Sequence, residues 1–331
     1  MSVVSYDKDN VDYLSNDSVV QYKGLCSLII MLYHLAWALD FTTYRPFSHG
    51  DLMTALFYFF SGYGLMKRFL ETENYSKGFI RKRILPLLAV YGIVNVFYWL
   101  FYFSKGIVYT PYILFCNFIY YGKMLVNYSW FIVSIVVFYL FFYLLIRLFN
   151  NKTKHYGIFM ICISFVFLLL YTIVLYKINW GMHWYTATPL FVNGIVWAVF
   201  EKKLLPRVRK YYWVLFLVFL TLFACSVYLN DFVFLTGKKH ILVTIINYIL
   251  VTGLFVLGVM KIKCSSRALY KIGKISLEIY LVHGFYIMLL TYVGIREYKI
   301  ISYLFVIILT LISAFYLSKI KNRFFSFQSK S

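Results

Sequence analysis

The chain has 331 residues, 62% of them hydrophobic and 22% aromatic, and only 14% charged, where roughly 25% is usual for a soluble domain. So few charges cannot cover a soluble surface, and so apolar a chain cannot be disordered. Its 33 Lys and Arg against 12 Asp and Glu give a net charge of +21, which in a soluble protein would point to nucleic acid. Here the basic residues are scattered between long apolar runs, the pattern of a membrane protein.

A spanning helix needs about 20 apolar residues. Ten runs read as spans: 24–41, 52–70, 84–104, 127–149, 156–176, 187–200, 211–229, 240–260, 275–294 and 300–319. The sixth is short and begins near Pro189, so a tilted or broken span is expected there. Residues 107–126 are aromatic but interrupted by Pro111, Gly122 and Lys123, which predicts an interfacial segment on the outer side. The expected fold is all-α, a polytopic membrane helix bundle of about ten transmembrane helices with both termini cytoplasmic. Residues 1–22 form a cytoplasmic tail, 23–320 the membrane domain and 321–331 a second cytoplasmic tail. The first 22 residues are polar and mildly acidic, unlike a signal peptide.

Charge supports this count, because cytoplasmic loops carry the Lys and Arg excess. Segments 67–83, 147–154, 202–210 and 261–274 and the C-terminal tail are all basic. The intervening loops hold only Arg45, Lys105, Lys123, Lys177, Lys238, Lys239, Arg296 and Lys299. The five cysteines show no CxxC or Cys/His pairing, so neither a disulfide framework nor a zinc site is indicated, and no metal is expected.

Ionisable groups in hydrocarbon are costly, by about 2.5–3.5 kcal/mol at a helix centre, and usually mark function. Three lie well inside the expected spans: His34, Glu278 and His283. His34 stands 11 residues past Lys23, roughly 16 Å along the helix and near the midplane. His283 lies at a similar depth in the ninth span, so the two imidazoles can line one polar cavity. An imidazole titrates near neutrality and suits a general base, although it also serves as a plain interhelical hydrogen-bonding group. Glu278, a turn nearer the cytoplasm, suits orienting a histidine, pairing with a lysine or remaining protonated.

The basic run Lys67, Arg68, Lys77, Arg81, Lys82 and Arg83 reads either as the positive-inside signal alone or as a phosphate clamp, to which Lys23 would add. On the outer side Trp37, Asp40, His49, Trp180 and Trp184 read as interfacial belt residues or as a sugar-binding set. In Phe60-Ser61-Gly62-Tyr63-Gly64 the GxSxG elbow is absent, and the small residues predict close helix contact.

Five stretches in order resemble the acyltransferase-3 family of integral-membrane O-acyltransferases. They are Lys23-Gly24-Leu25 through Leu32-Tyr33-His34, Phe57-Tyr58-Phe59-Phe60-Ser61-Gly62-Tyr63, Phe79-Ile80-Arg81-Lys82-Arg83-Ile84-Leu85-Pro86, Ser129-Trp130-Phe131-Ile132, and Ile272 to His283. The resemblance implies a bacterial cytoplasmic-membrane enzyme that takes an acyl group, usually acetyl, from cytoplasmic acetyl-CoA or another acyl-CoA. The group is delivered to a hydroxyl of an extracytoplasmic or lipid-linked glycan. The family's first-helix histidine falls on His34, with Lys23 on its basic residue, where arginine is common. The implied roles are catalytic for His34, His283 and Glu278, and CoA-binding for Lys23, Lys67, Arg68, Arg81, Lys82 and Arg83. Asp40, Trp37, His49, Trp180 and Trp184 would serve the acceptor. The implied partners are acyl-CoA, the glycan and membrane lipid, without nucleic acid. A homodimer is compatible with the sequence. The rival reading from the residues is a transporter of a glycan, organic acid or lipid-linked sugar, which midplane histidines also suit.

Overall fold

The computed structural model describes residues 4–6, 10–39, 50–150, 155–233 and 235–326. Long helices dominate, because an apolar chain in lipid must satisfy its backbone internally. They are α1 (Asn16–Ala38), α2 (Leu52–Glu71), α3 (Leu85–Ser104), α5 (Trp130–Leu148), α6 (Tyr156–Lys177), α8 (Pro189–Lys210), α9 (Tyr212–Phe232), α10 (Gly237–Val259), α12 (Ser276–Val293) and α13 (Lys299–Ser326). Shorter helices are α4 (Pro111–Tyr121), α7 (His183–Thr186) and α11 (Arg267–Lys274). Strands β1 (Val4–Tyr6) and β2 (Ile262–Cys264) form one small antiparallel ladder with Ser5 opposite Lys263.

Among the described residues eight helices are long and apolar enough to cross a membrane: α1, the continuous stretch from Ile80 through α3, α5, α6, α9, α10, α12 and α13. The chain is therefore an all-α polytopic bundle. α2 and α8 are equally long, but Lys67, Arg68, Glu201, Lys202 and Lys203 interrupt their apolar character. The lipid-facing logic is plainest in α9, where only 11% of the apolar window is buried and Trp213, Val214 and Leu217 project outward.

Two helices depart from the expected bounds. The sixth expected span is a continuous 22-residue helix, α8, running through Pro206 rather than breaking. α13 runs on to Ser326 through the beginning of the expected tail. Residues Asn10 and Gln21 of the N-terminal segment are held by hydrogen bonds. Asn10 Nδ2 donates to the Val259 carbonyl at 2.8 Å, and the Ser266 N–H donates to Gln21 Oε1 at 2.7 Å. The segment around 107–126 holds only the 11-residue α4, roughly 16 Å long and too short to span. Thr110 caps it by accepting from the Ile113 N–H at 3.2 Å, and Gly122 ends it at φ 61°.

The helices group into two compact units. The first takes Met1–Tyr22, Thr54–Tyr75 and Leu145–Ala268; the second takes Lys23–Met53, Ser76–Leu144 and Leu269–Ser331. In the first, α2 and α8 approach so closely that a Cβ on Gly62 would lie 1.9 Å from the Phe191 carbonyl oxygen. The small residues of the Ser61-Gly62 stretch do permit helix contact, as expected. In the second unit, α1, α12 and α13 share their apolar faces. One cluster joins Leu35, Leu39, Ile287, Leu290 and Val306, and another joins Met31, Ile279 and Ala314. These positions recur at three- and four-residue spacing, so His34 and His283 lie on the same inward stripes.

Candidate active site

His34 is one turn past Met31 on α1, and His283 is one turn past Ile279 on α12. The shared stripes bring their Nδ1 and Nε2 atoms, respectively, to 2.8 Å. Their rings are 5° from parallel with centroids 5.0 Å apart. An edge-to-edge hydrogen bond between nearly coplanar imidazoles produces those values. His283 is fully buried and His34 partly so.

The backbone assigns the protons. His283 Nδ1 is 3.1 Å from the Ile279 carbonyl, four residues earlier on the same helix. A carbonyl only accepts, so in the neutral ring this nitrogen carries the hydrogen and Nε2 keeps a lone pair. His34 Nδ1–H then donates to that lone pair, which leaves His34 Nε2 as the basic nitrogen. A fixed donor–acceptor chain thus runs from His34 through His283 to a helix carbonyl.

Tyr128 stacks on His34 with ring centroids 3.9 Å apart and planes 11° from parallel. Its carbonyl accepts from the Tyr280 hydroxyl at 2.5 Å. Sequence reading missed both tyrosines, because an aromatic residue in so aromatic a chain carries no signal of its own.

Glu278 does not join the dyad. It is fully buried on α12 and paired with Lys321 of α13, while its Oε2 has no hydrogen-bond partner. Of the roles left open for it, pairing with a lysine is the one observed.

The basic run divides between the two units. In the second, Arg81, Lys82 and Arg83 are exposed on a widened turn, Ile80–Ile84, in which the Leu85 N–H reaches back to the Ile80 carbonyl. Pro86 has no N–H to offer the Lys82 carbonyl, which accounts for the π-type turn, a feature frequent at functional sites. A cavity of about 330 Å³ adjoins the turn, lined by Phe79, Ile80, Arg81, Leu85 and Tyr143 among others. Lys23, half-buried, lies within electrostatic reach of Arg83.

In the first unit Arg68 is exposed, whereas Lys67 is already neutralised at 2.6 Å by Glu201. This carboxylate also accepts from the Tyr13 hydroxyl at 2.6 Å and from the Tyr63 hydroxyl at 3.1 Å, and the Trp197 indole N–H donates to Tyr13 at 3.1 Å. Lys67, expected as a CoA contact, joins a polar network around the buried Glu201. Burial, and then the hydrogen bond to Glu201, push the Tyr13 phenol well above its usual value. The i, i+4 pairs Tyr63/Lys67 and Trp197/Glu201 were the available signal for this network.

Of the expected acceptor residues, Trp37 is 52% exposed. Trp180 and Trp184 are buried, with ring centroids 4.7 Å apart. Asp40 and His49 lie outside the described residues. Among the described residues, no group of three or more His, Cys, Asp or Glu is placed to hold a metal ion.

The described residues thus place a hydrogen-bonded imidazole dyad inside a polytopic helix bundle. The class follows from comparison: the chain belongs to the acyltransferase-3 family, whose profile, described as an acyltransferase domain, matches residues 20–319. It is a multi-pass membrane acyltransferase. No curated protein and no solved structure matches the chain.

Proposed function

We propose that the protein transfers an acetyl group from cytoplasmic acetyl-CoA to a hydroxyl of an extracytoplasmic or lipid-linked glycan in a bacterial cytoplasmic membrane, with His34 Nε2 as the reacting base. The observation that carries this reading is the directed chain from His34 through His283 to the Ile279 carbonyl. It leaves a single lone pair where a hydroxyl proton can be taken.

In this reading His34 Nε2 removes the acceptor hydroxyl proton as the oxygen attacks the thioester carbonyl. The carbon–sulfur bond breaks, and the same nitrogen returns the proton to the departing thiolate, so no net proton is consumed. While charged, the His34 ring keeps its Nδ1–H on the neutral His283 acceptor, a charge-assisted bond. The same lone pair also suits a transient acyl acceptor, and acyl-His34 accumulating without glycan would distinguish that route. The exposed Arg81–Arg83 turn with Lys23 suits the polyanionic end of CoA, and Lys23 stands roughly 16 Å from His34 along one helix.

Labelled acetyl-CoA supplied to the cytoplasmic face of inverted vesicles should label the glycan. His34→Ala should lower that transfer by about 10²–10⁴-fold while the protein still inserts. Full transfer by His34→Ala would remove His34 from the chemistry. A glycan left unlabelled by the wild-type protein would overturn the acetyl transfer itself.

A further inference from the structure

The least expected residue at the dyad is Tyr128. It lies just before α5 with φ at +62°, a left-handed conformation that bulky L side chains rarely adopt. Such a residue persists only where its surroundings over-determine it, and three contacts do so here. The Tyr280 hydroxyl donates to its carbonyl at 2.5 Å. The turn beneath it is closed by Ser129, whose Oγ donates to the Val126 carbonyl at 2.7 Å. On the third side Gly284 leaves room for the turn, since a Cβ there would come within 3.1 Å of the Tyr128 ring and 3.2 Å of the Asn127 carbonyl.

This turn places the ring flat on His34. The planes of Tyr128 and His34 are 11° apart, those of Tyr128 and His283 14°, and those of the two imidazoles 5°. The dyad is therefore one sheet of rings under an aromatic roof over the His34 end. His34 can break its bond to His283 only by turning its ring out of that plane, and the roof opposes the rotation. An imidazole that turns also re-aims Nε2.

We propose that Tyr128 is a positioning residue for the transfer reaction. Its strained backbone, pinned by Tyr280 and admitted by Gly284, clamps the His34 ring so that Nδ1 stays on His283 and Nε2 stays aimed at the acceptor. The proposal rests on the reading of His34 as the reacting base. The ring, not the phenol hydroxyl, does the clamping.

The test compares Tyr128→Phe, Tyr128→Ala and Tyr280→Phe in the full-length protein reconstituted in vesicles. Two readouts are needed: acetyl transfer, resolved into kcat and the KM for acetyl-CoA, and the rate at which diethylpyrocarbonate modifies His34, followed by mass spectrometry of its peptide. Tyr128→Phe should keep both near wild type. Tyr128→Ala should lose on the order of 10²-fold in kcat, the scale of a misplaced reacting group, with KM unchanged and faster His34 modification. Tyr280→Phe, which keeps the ring and frees its backbone, should fall between them, and it carries the test if Tyr128→Ala does not fold. A Tyr128→Ala protein with wild-type kcat and unchanged modification overturns the clamp, as does Tyr128→Phe failing as badly as Tyr128→Ala. Full activity in His34→Ala instead overturns the catalytic reading and the catalytic use of the clamp with it. The modification rates then still report whether Tyr128 shields the ring.

Discussion

Replacing His283 with phenylalanine keeps an aromatic ring of similar size against α1 and deletes both the acceptor for His34 and the donor to the Ile279 carbonyl. In the wild-type protein the His34 Nδ1–H faces the His283 Nε2 lone pair at 2.8 Å. Once His34 has taken the hydroxyl proton, that contact is a hydrogen bond from a charged donor, worth about 1.5–3 kcal/mol. At 1.36 kcal/mol per decade the loss amounts to roughly 10- to 150-fold in kcat. His283→Gln offers a carbonyl acceptor on a shorter side chain and should recover part of that loss, giving the order wild type, Gln, Phe. The assay is transfer of labelled acetyl to glycan in inverted vesicles at saturating acetyl-CoA, with the amount of inserted protein checked for each variant. A His283→Phe protein that transfers at the wild-type rate would show that the dyad does not support the reacting nitrogen. The hydrogen-bond chain from His34 through His283 to Ile279 would then play no part in the transfer.

Two further outcomes test the buried polar groups. Lys321→Met leaves the Glu278 carboxylate, fully buried on α12, without its counter-ion. It should cost about 3–5 kcal/mol, whereas the Glu278→Gln/Lys321→Met double variant should cost far less; equal thermal losses in detergent would refute the pairing as the source. Tyr13→Phe removes a 2.6 Å hydrogen bond to Glu201 and the acceptor of the Trp197 N–H, and should lower stability on the order of 2–3 kcal/mol. Burial and Glu201 raise the Tyr13 phenol above the unfolded value near 10. Its contribution is therefore complete below about pH 10 and lost as the pH climbs past it. Thermal unfolding followed between about pH 9 and 11 should fall more steeply for wild type than for Tyr13→Phe.

Much of the frame was legible because lipid imposes one rule on every span. Among the described residues a long helix answers each of the ten apolar runs, eight of these helices are long and apolar enough to cross a membrane, and α4 proved too short. Boundaries failed where the helix outlived the apolar run. α8 and α13 continue through Glu201, Lys319 and Lys321, because charged residues that find partners, or reach the interface, do not end a helix. For the site, intramembrane cost pointed to His34 and His283, and their depths matched. Their contact depended on which faces of α1 and α12 turn inward, and those faces are fixed by Met31, Leu35, Ile279 and Ile287 together. What periodicity could not reveal was the turn at Tyr128, a single positive φ in a loop. Nor could periodicity show that Trp180 and Trp184 are buried with their rings close together.

The choice of partner for His34 also bears on the proposed chemistry. Glu278 carries a carboxylate on the same helix as His283, yet it is held by Lys321, and a neutral imidazole faces His34 instead. A carboxylate beside His34 would favour the charged ring and hold the captured proton more tightly. In acyl transfer from a thioester that proton has to be surrendered within the same turnover to a leaving thiolate. A neutral acceptor, whose own Nδ1–H is committed to the Ile279 carbonyl, fixes the direction of the His34 ring without adding a fixed negative charge. The pairing of Glu278 with Lys321 is thus part of the same design: it supplies the carboxylate of the His283 helix with a partner of its own. In the Lys321→Met variant the carboxylate loses that partner, so any loss of transfer there beyond the loss of folded protein measures how far the separation of the two pairs serves the reaction.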